Sequence, residues 1–146
     1  MNHTHFAAQV EKEVSLLAQG KPLEALEYCF AADGKMYAND LLFAQGLDEA
    51  RKKQESYILA ASEIAGKIAD LFVDEATQLC VFRNRTSFVT DGQTHQINCL
   101  VWQQWKEGKV AVERYYDGDM MHDLIERGVL LNPAMLSLLN RNGAAH

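Results

Sequence analysis

The chain has 146 residues, of which 48% are hydrophobic, and its 14 basic and 20 acidic residues give a formal net charge of −6. Nine glycines and two prolines are too few for a disordered or collagen-like chain, and three cysteines are too few for a disulfide scaffold. These figures predict one globular domain over residues 1–146, long enough to bury its own hydrophobic core.

The acidic charge disfavours nucleic acid as a partner, because the long-range field has the wrong sign for phosphate. The basic run at residues 51–53 lies beside Asp48, Glu49 and Glu55, a mixture typical of a solvated helix face. No apolar stretch approaches the roughly 20 residues of a membrane helix, and the polar N-terminus lacks the pattern of a secretory signal. We therefore expect a cytoplasmic protein that has no nucleic-acid partner and does not bind a membrane.

The cysteines and histidines form no recognisable site. Cys29, Cys80 and Cys99 lie far apart in the chain without paired spacing, which is typical of reduced thiols in a core. His95 and His122 stand alone, and the other histidines lie near the chain ends. We therefore expect no metal site and no cofactor.

Apolar residues at helical spacing predict three helices in the first half of the chain. The predicted elements are a helix with the stripe Phe6, Val10, Val14 and Leu17 that ends at Gly20, a helix from Pro22 to Asp33-Gly34, a short strand over 35–39, and a helix from Gly46 to Gly66. Tyr57 belongs to the apolar side of the third helix.

From residue 67 the hydrophobic period changes from that of a helix to that of a strand. Strands are predicted over 67–74, 78–90, 94–105 and 109–117, with turns at Asp74-Glu75, Asp91-Gly92 and Glu107-Gly108. A last helix, over about 133–141, precedes a short tail for which we expect disorder. Helices followed by an antiparallel meander predict an α+β fold, with the helices on one face of a curled sheet.

Four segments resemble the SnoaL-like branch of the nuclear transport factor 2 superfamily, which also contains ketosteroid isomerase-like proteins. They are ALEYCFAAD at 25–33, GLDEAR at 46–51, WQQWKEGKV at 102–110 and RYYD at 114–117. The resemblance runs in order over about residues 6–128. It implies a cystatin-like, cone-shaped fold in which a curved antiparallel sheet wraps around the N-terminal helices and leaves a pocket for a small hydrophobic ligand. It also implies a homodimer formed through the outer sheet face.

The steroid isomerases of this superfamily use a carboxylate base and two proton donors that converge on an enolate oxygen. Asp40, or the neighbouring Asn39, lies near the position of the base. Leu100 and Lys12 occupy the positions of the two donors, so this constellation is incomplete.

The epoxide hydrolases of the superfamily use an Asp-Arg-Asp relay and a Tyr-x-Asn pair that holds the attacking water. Tyr37 and Asn39 match that pair, and Arg85 lies at the position of the Arg. Ser87 and Tyr115 stand where the relay carboxylates are needed, so this constellation is also incomplete.

A polyketide cyclase needs only an acid/base Asp that faces a large apolar pocket. Asp40 and Asp117 are therefore the catalytic candidates. Each also has a structural explanation, since Asp117 suits the N-cap of a helix that begins near Met120 and Asp40 suits a turn.

The register at the turn Glu107-Gly108 decides which strand face lines the pocket. A two-residue turn without a bulge pairs Trp102 with Glu113 and Leu100 with Tyr115. The resemblance then places Asn98, Leu100, Trp102, Glu113, Tyr115 and Asp117 in the cavity. A bulge would instead send Val112, Arg114 and Tyr116 inward. On the unbulged register, the ligand-binding candidates are Tyr37, Asn39, Tyr57, Asn98, Leu100, Trp102, Glu113 and Tyr115.

Two hypotheses follow, and the sequence leaves open whether the protein is an enzyme. The first is a small-molecule-binding protein with an apolar pocket, in which cofactor-independent acid/base chemistry of the isomerase, cyclase or hydratase type is the candidate activity. The second is a non-catalytic dimerising or ligand-binding scaffold module of the same fold, whose outer sheet face carries Val101, Trp105 and Val110. A buried carboxylate with a raised pKa favours the first hypothesis.

Overall fold

The computed structural model describes the backbone of residues 2–138 and the side chains of residues 5–136. In chain order its elements are α1 (Asn2–Ala18), α2 (Pro22–Cys29), β1 (Phe30–Ala38), β2 (Leu41–Gln45), α3 (Leu47–Ile58), β3 (Ser62–Asp74), β4 (Leu79–Thr90), β5 (Gln93–Lys106), β6 (Lys109–Tyr116), α4 (Gly118–Glu126) and α5 (Met135–Leu138). None of the helices described has the length and apolar character needed to cross a membrane.

The six strands form one curved, unclosed sheet in the order β2-β1-β6-β5-β4-β3. Neighbouring strands are antiparallel except β1 and β6, which run parallel. Two-residue turns join β4 to β5 and β5 to β6, at the predicted Asp91-Gly92 and Glu107-Gly108. All four of these turn residues have positive φ, as a turn of type I′ requires. The predicted meander and α+β class are confirmed.

Two apolar clusters hold the fold together, one on each face of the sheet. The first lies under α1 and α2, where Phe6 meets the Trp105 ring edge-on at 5.7 Å between centroids. The second lies on the opposite face, where α4 and the C-terminal segment cover Leu100, Trp102 and Tyr116. Both faces of the central strands are therefore buried, and residues of each parity along β5 belong to a core.

The first half of the chain differs from the prediction in three places. Helix α2 ends at Cys29, four residues before the expected stop, and Asp33-Gly34 lies inside β1 where its register with β6 shifts. Strand β2 was not predicted. Helix α3 ends at Ile58, and β3 begins at Ser62 rather than at residue 67. In each case strand pairing determines the local structure, because the apolar pattern alone does not separate a helix end from a buried strand.

The predicted register of β5 with β6 is wrong. An extra residue in β6, Ala111, makes a bulge opposite Gln104 and Trp105, so that Gln103 lies opposite Glu113 and Val101 opposite Tyr115. Glu113 and Tyr115 face the helices, as predicted, but the bulge puts them on the same face as the odd-numbered residues of β5 rather than the even-numbered ones. Leu100 and Trp102 consequently face away from the helices, and so do Arg114 and Tyr116.

The predicted dimer face is also wrong. Val101, Trp105 and Val110 are buried in the cluster beneath the helices, with exposed fractions of 2% or less. They cannot form an interface with a second copy unless the helices leave the sheet. Dimerisation itself stays a prediction.

Two glycines allow the start of β3, which was predicted to be the end of the third helix, to pack closely against the end of α1. A Cβ atom on Gly20 would collide with the backbone oxygen of Ile64, and one on Gly66 with that of Leu17. These close approaches hold the start of β3 against the end of α1.

Replacing Gly20 with alanine is expected to destabilise the fold by about 2 kcal/mol more than replacing Gly92. Both glycines have φ of 76°, so the strain of a left-handed alanine is matched, but nothing lies within 4 Å of a Cβ at Gly92. Urea unfolding of the two variants measures the difference. Equal losses would show that the backbone of β3 is free to move away from Gly20.

Candidate functional site

An open pocket of about 530 Å³ lies between the helices and the sheet. This volume is in the range of sites that bind small molecules. Its walls are mainly apolar and include Leu17, Leu26, Phe82 and Val101. Tyr57 also lines it but is 73% exposed.

Two glutamates lie in the wall of this apolar pocket. Glu13 comes from α1 and Glu113 from β6, and each is 4% exposed. The amide nitrogen of Gln103 donates hydrogen bonds to both, at 2.7 Å to Glu13 Oε2 and 2.6 Å to Glu113 Oε1. We call Glu13 and Glu113 the carboxyl pair.

Both polar atoms of the Gln103 side-chain amide are hydrogen-bonded. Its oxygen accepts hydrogen bonds from Trp105 Nε1 at 2.9 Å and from the Cys80 thiol at 3.2 Å. Both of its N–H groups are used by the carboxyl pair, so the amide has no donor left. Since Gln103 is fully buried, it holds the two glutamates at a fixed separation.

Burial is the main reason that the carboxyl pair resists ionisation. The pKa of Glu13 is raised to about 8. Burial contributes most to this rise and the charge of Glu113 adds to it, whereas the hydrogen bond from Gln103 lowers the pKa. Burial also raises the pKa of Glu113, although hydrogen bonds from Tyr115 and Gln103 lower it. At neutral pH the pair therefore holds at least one proton, which is the state needed for one carboxyl group to donate and the other to accept.

Three further polar side chains surround the carboxyl pair. Tyr115 lines the pocket between Glu113 and Gln54, and burial followed by the charge of Glu113 raises the pKa of its hydroxyl group. The Cys29 thiol lies beside Glu13, and burial raises its pKa as well. All three cysteines are free and buried, which confirms the prediction of reduced core thiols.

The sequence-predicted ligand residues divide between the two faces of the sheet. Tyr57, Glu113 and Tyr115 line the pocket; that they bind a ligand stays a prediction. Leu100 and Trp102 do not line it, because the bulge turns them to the other face, where Trp102 Nε1 donates to the Pro133 carbonyl oxygen at 2.8 Å. Asn98 is exposed and accepts a 3.5 Å hydrogen bond from Arg83.

The two catalytic candidates lie outside the pocket as well. Asp40 accepts a 2.6 Å hydrogen bond from the Tyr116 hydroxyl group and lies 3.6 Å from Arg114 Nη1. Its positive φ places it in the turn between β1 and β2, as its structural explanation anticipates. Asp117 does not line the pocket, because β6 ends at Tyr116 and Asp117 stands at the start of α4. A catalytic role for either Asp would need a different site.

Asp117, Tyr37 and Asn39, the last two being the predicted water-holding pair, lie outside the pocket, where the ends of β1 and β6 meet. Asn39 donates to Asp117 Oδ1 at 2.9 Å and accepts from the Asp117 backbone N–H at 3.1 Å. Asp117 takes the N-cap position of α4, but its side chain makes no capping hydrogen bond. Tyr37 packs under the Arg114 guanidinium group, 4.4 Å from its ring centroid. These contacts tie the end of β1 to the end of β6.

Sequence reasoning missed Glu13 and Gln103. Glu13 lies three residues after Val10 and four before Leu17, so it belongs to the apolar stripe of α1. Gln103 lies between Val101 and Trp105 on the inward parity of β5. For Glu13 the signal was a charged residue on a helix face predicted to be buried. Gln103 gave no such signal, because its face of β5 was predicted to be the outer face of the sheet. In the part of the chain described here, no three His, Cys, Asp or Glu side chains are arranged to hold a metal ion.

No protein-family model matches the sequence, and a comparison with curated proteins gave no significant match. Solved structures do match the helices and sheet described above. A SnoaL-like protein from Mesorhizobium loti superposes with a TM-score of 0.63 at 20% identity, over 76% of this chain and 97% of its own.

Proteins with other names superpose equally well. An NTF2-like protein of unknown function from Burkholderia pseudomallei has a TM-score of 0.63 at 10% identity, over 83% of this chain and 95% of its own. The chain has the nuclear transport factor 2-like fold. An LEH-like epoxide hydrolase from M. tuberculosis has the same fold, with a TM-score of 0.63 at 14% identity over 90% of this chain and 93% of its own. Since the fold carries several activities, function must be argued from the pocket.

Proposed function

We propose that this protein is a cofactor-independent acid/base enzyme that acts on a small hydrophobic substrate in the pocket. One observation carries the proposal: two buried carboxyl groups from different elements share one amide donor in the wall of a large apolar pocket. Placing two carboxyl groups in an apolar environment costs stability, and such costs are concentrated at functional sites.

The carboxyl pair has the protonation state that acid/base chemistry requires. The neutral carboxyl group donates a hydrogen bond or a proton to a substrate oxygen, and the ionised one accepts a proton from carbon or from water. Glu13 is the better acid in this scheme, because its pKa of about 8 keeps its proton at neutral pH. Tyr115 supplies a hydroxyl group beside Glu113.

Epoxide opening and ketone enolisation are two reactions that suit a carboxyl pair in an apolar pocket. The epoxide hydrolase from M. tuberculosis shows by its name that one protein of this fold opens epoxides. Ring opening of an epoxide and enolisation of a ketone both need a proton donor and a proton acceptor on opposite sides of the reacting group. Two apolar probes, 2-tetralone and styrene oxide, represent these two reactions.

The test measures deuterium exchange at the α-carbon of 2-tetralone by NMR and hydration of styrene oxide by chromatography. We expect the protein to accelerate at least one reaction over buffer, and Glu13→Gln and Glu113→Gln each to lower that rate about a hundredfold. Glu126→Gln, at an exposed position on α4, is the matched control and should keep the full rate. Rates equal to buffer for both probes, or unchanged rates in both pocket variants, would overturn the proposal.

A further inference from the structure

Among the side chains that the structure describes, none of those lining the pocket is basic. The lining includes Glu13, Glu113, Gln54, Tyr115 and Asn84 among apolar residues, but no Lys, Arg or His from residues 5–136. Once the carboxyl pair loses a proton, nothing in the pocket wall balances its negative charge. The basic residue nearest to Glu113 in sequence, Arg114, faces the opposite side of the sheet.

The carboxyl pair also has an unused acceptor. Glu13 Oε1 is buried and has no hydrogen-bond partner, although Oε2 of the same group is bonded to Gln103. Gln103 has no N–H left to offer, because both serve the pair. When Glu13 is neutral, this oxygen can carry its proton. When Glu13 is ionised, the same oxygen is a buried acceptor without a donor, which is costly, so the ionised site favours a ligand that brings a donor.

We propose that the pocket prefers a hydrophobic amine, whose ammonium group donates to Glu13 and supplies the positive charge that the wall lacks. This inference rests on the proposed function, since it names the class of substrate that the same pocket takes. An ammonium group offers both a donor and a charge, whereas an alcohol offers a donor alone. A carboxylate or phosphate ligand offers neither and is repelled by the pair.

Binding of an amine is coupled to proton release. The groups that face Glu13 are Glu113 on β6, Gln103 on β5, Cys29 on α2 and Cys80 on β4, and none of them is basic. Cys99 and Tyr115, which face Glu113, are acidic groups as well. An ammonium ion beside the pair lowers the pKa of Glu13, so a protonated pair gives up a proton when the amine binds. In that complex the ammonium group takes over from Glu13 as the proton donor of the site.

Three ligands with one hydrocarbon body test the inference: 1-adamantanamine, 1-adamantanol and adamantane-1-carboxylate. Isothermal titration at pH 7 is expected to give about tenfold tighter binding for the amine than for the alcohol, because a charge-assisted hydrogen bond replaces a neutral one. The carboxylate is expected not to bind. Titration in two buffers of different ionisation enthalpy should show that the amine releases protons and the alcohol does not.

The pocket variants separate charge from shape. Glu13→Gln and Glu113→Gln should each reduce the preference for the amine over the alcohol from about tenfold to about one. Equal affinities of amine and alcohol for the wild-type protein, or tighter binding of the carboxylate, would overturn the inference and leave the proposed function standing. Failure of all three to bind would count against both. The wild-type series decides the matter even if one variant does not fold.

Discussion

Replacing Gln103 with methionine is expected to lower the free energy of unfolding by about 3 to 5 kcal/mol. Methionine keeps the length of the side chain but removes the two donors that serve Glu13 and Glu113 and the acceptor that serves Trp105. Four buried polar groups, counting the Cys80 thiol, then lose a hydrogen bond at once without regaining water. Urea unfolding followed by tryptophan fluorescence measures the loss.

The matched control is Gln96→Met, the same substitution at an exposed position of the same strand. It should change the free energy of unfolding by no more than about 0.5 kcal/mol. A Gln103→Met loss as small as that of the control would mean that Gln103 does not hold the carboxyl pair, and the arrangement of the site would be wrong.

The free energy of unfolding is expected to fall by about 2 kcal/mol between pH 6 and pH 8 because of the carboxyl pair. The pKa of Glu13 in the folded protein, about 8, lies above its ordinary value of 4.5, and that of Glu113 is also raised. The folded state therefore binds more protons than the unfolded state across this interval. Its contribution to stability is complete below about pH 4.5 and is lost as the pH rises through 8, at about 1.4 kcal/mol per pH unit for each proton.

The double variant Glu13→Gln, Glu113→Gln isolates this contribution. It lacks the two carboxyl groups and keeps every other titratable group, so its stability should vary much less from pH 6 to pH 8. Parallel curves for the wild-type protein and the double variant would show that neither glutamate has a raised pKa. A wild-type protein that became more stable with rising pH relative to the variant would reverse the sign and contradict the burial of the pair.

The second half of the fold could be predicted well, because its signals are local. Strand alternation and the dipeptides Asp91-Gly92 and Glu107-Gly108 determine the meander, and the resemblance in ordered motifs predicted the same fold. The first half was less predictable. Residues 59–66 continue an apolar pattern that suits a helix, but pairing with β4 makes the last five of them part of β3.

The last predicted element is tested only in part. Helix α5 begins at Met135, close to the predicted start of about 133, and continues through Leu138. The predicted end at about residue 141 and the predicted disordered tail lie outside the described residues.

The site was harder to predict than the fold because one extra residue decides it. The bulged residue Ala111 puts Glu113 on the same face as Val101 and Gln103, whereas the sequence count from Gly108 put it on the face of Leu100 and Trp102 and assigned those two to the pocket. No residue in the turn signals the bulge. Glu113 was found because its own strand kept the predicted face.

Glu13 was not predicted as a site residue, because the apolar pattern around it was used only to predict a helix. The stripe from Phe6 to Leu17 was used to predict a helix, and a charged residue within it was not considered as a candidate. Its raised pKa depends on burial by α2 and on the approach of Glu113 from a strand 100 residues away, both of which are tertiary facts. The physical rule that applies is that a carboxyl group on a buried face needs a partner or a function.

The carbon-13 shifts of the glutamate side-chain carboxyl groups, followed against pH and assigned with Glu13→Gln and Glu113→Gln, test the central claim most directly. We expect the Glu13 signal to titrate near pH 8 and the Glu113 signal above its ordinary 4.5, so that the pair keeps a proton at neutral pH. Titration of both signals near 4.5 would show two ionised surface-like carboxylates and would contradict a buried, proton-sharing pair in the pocket wall.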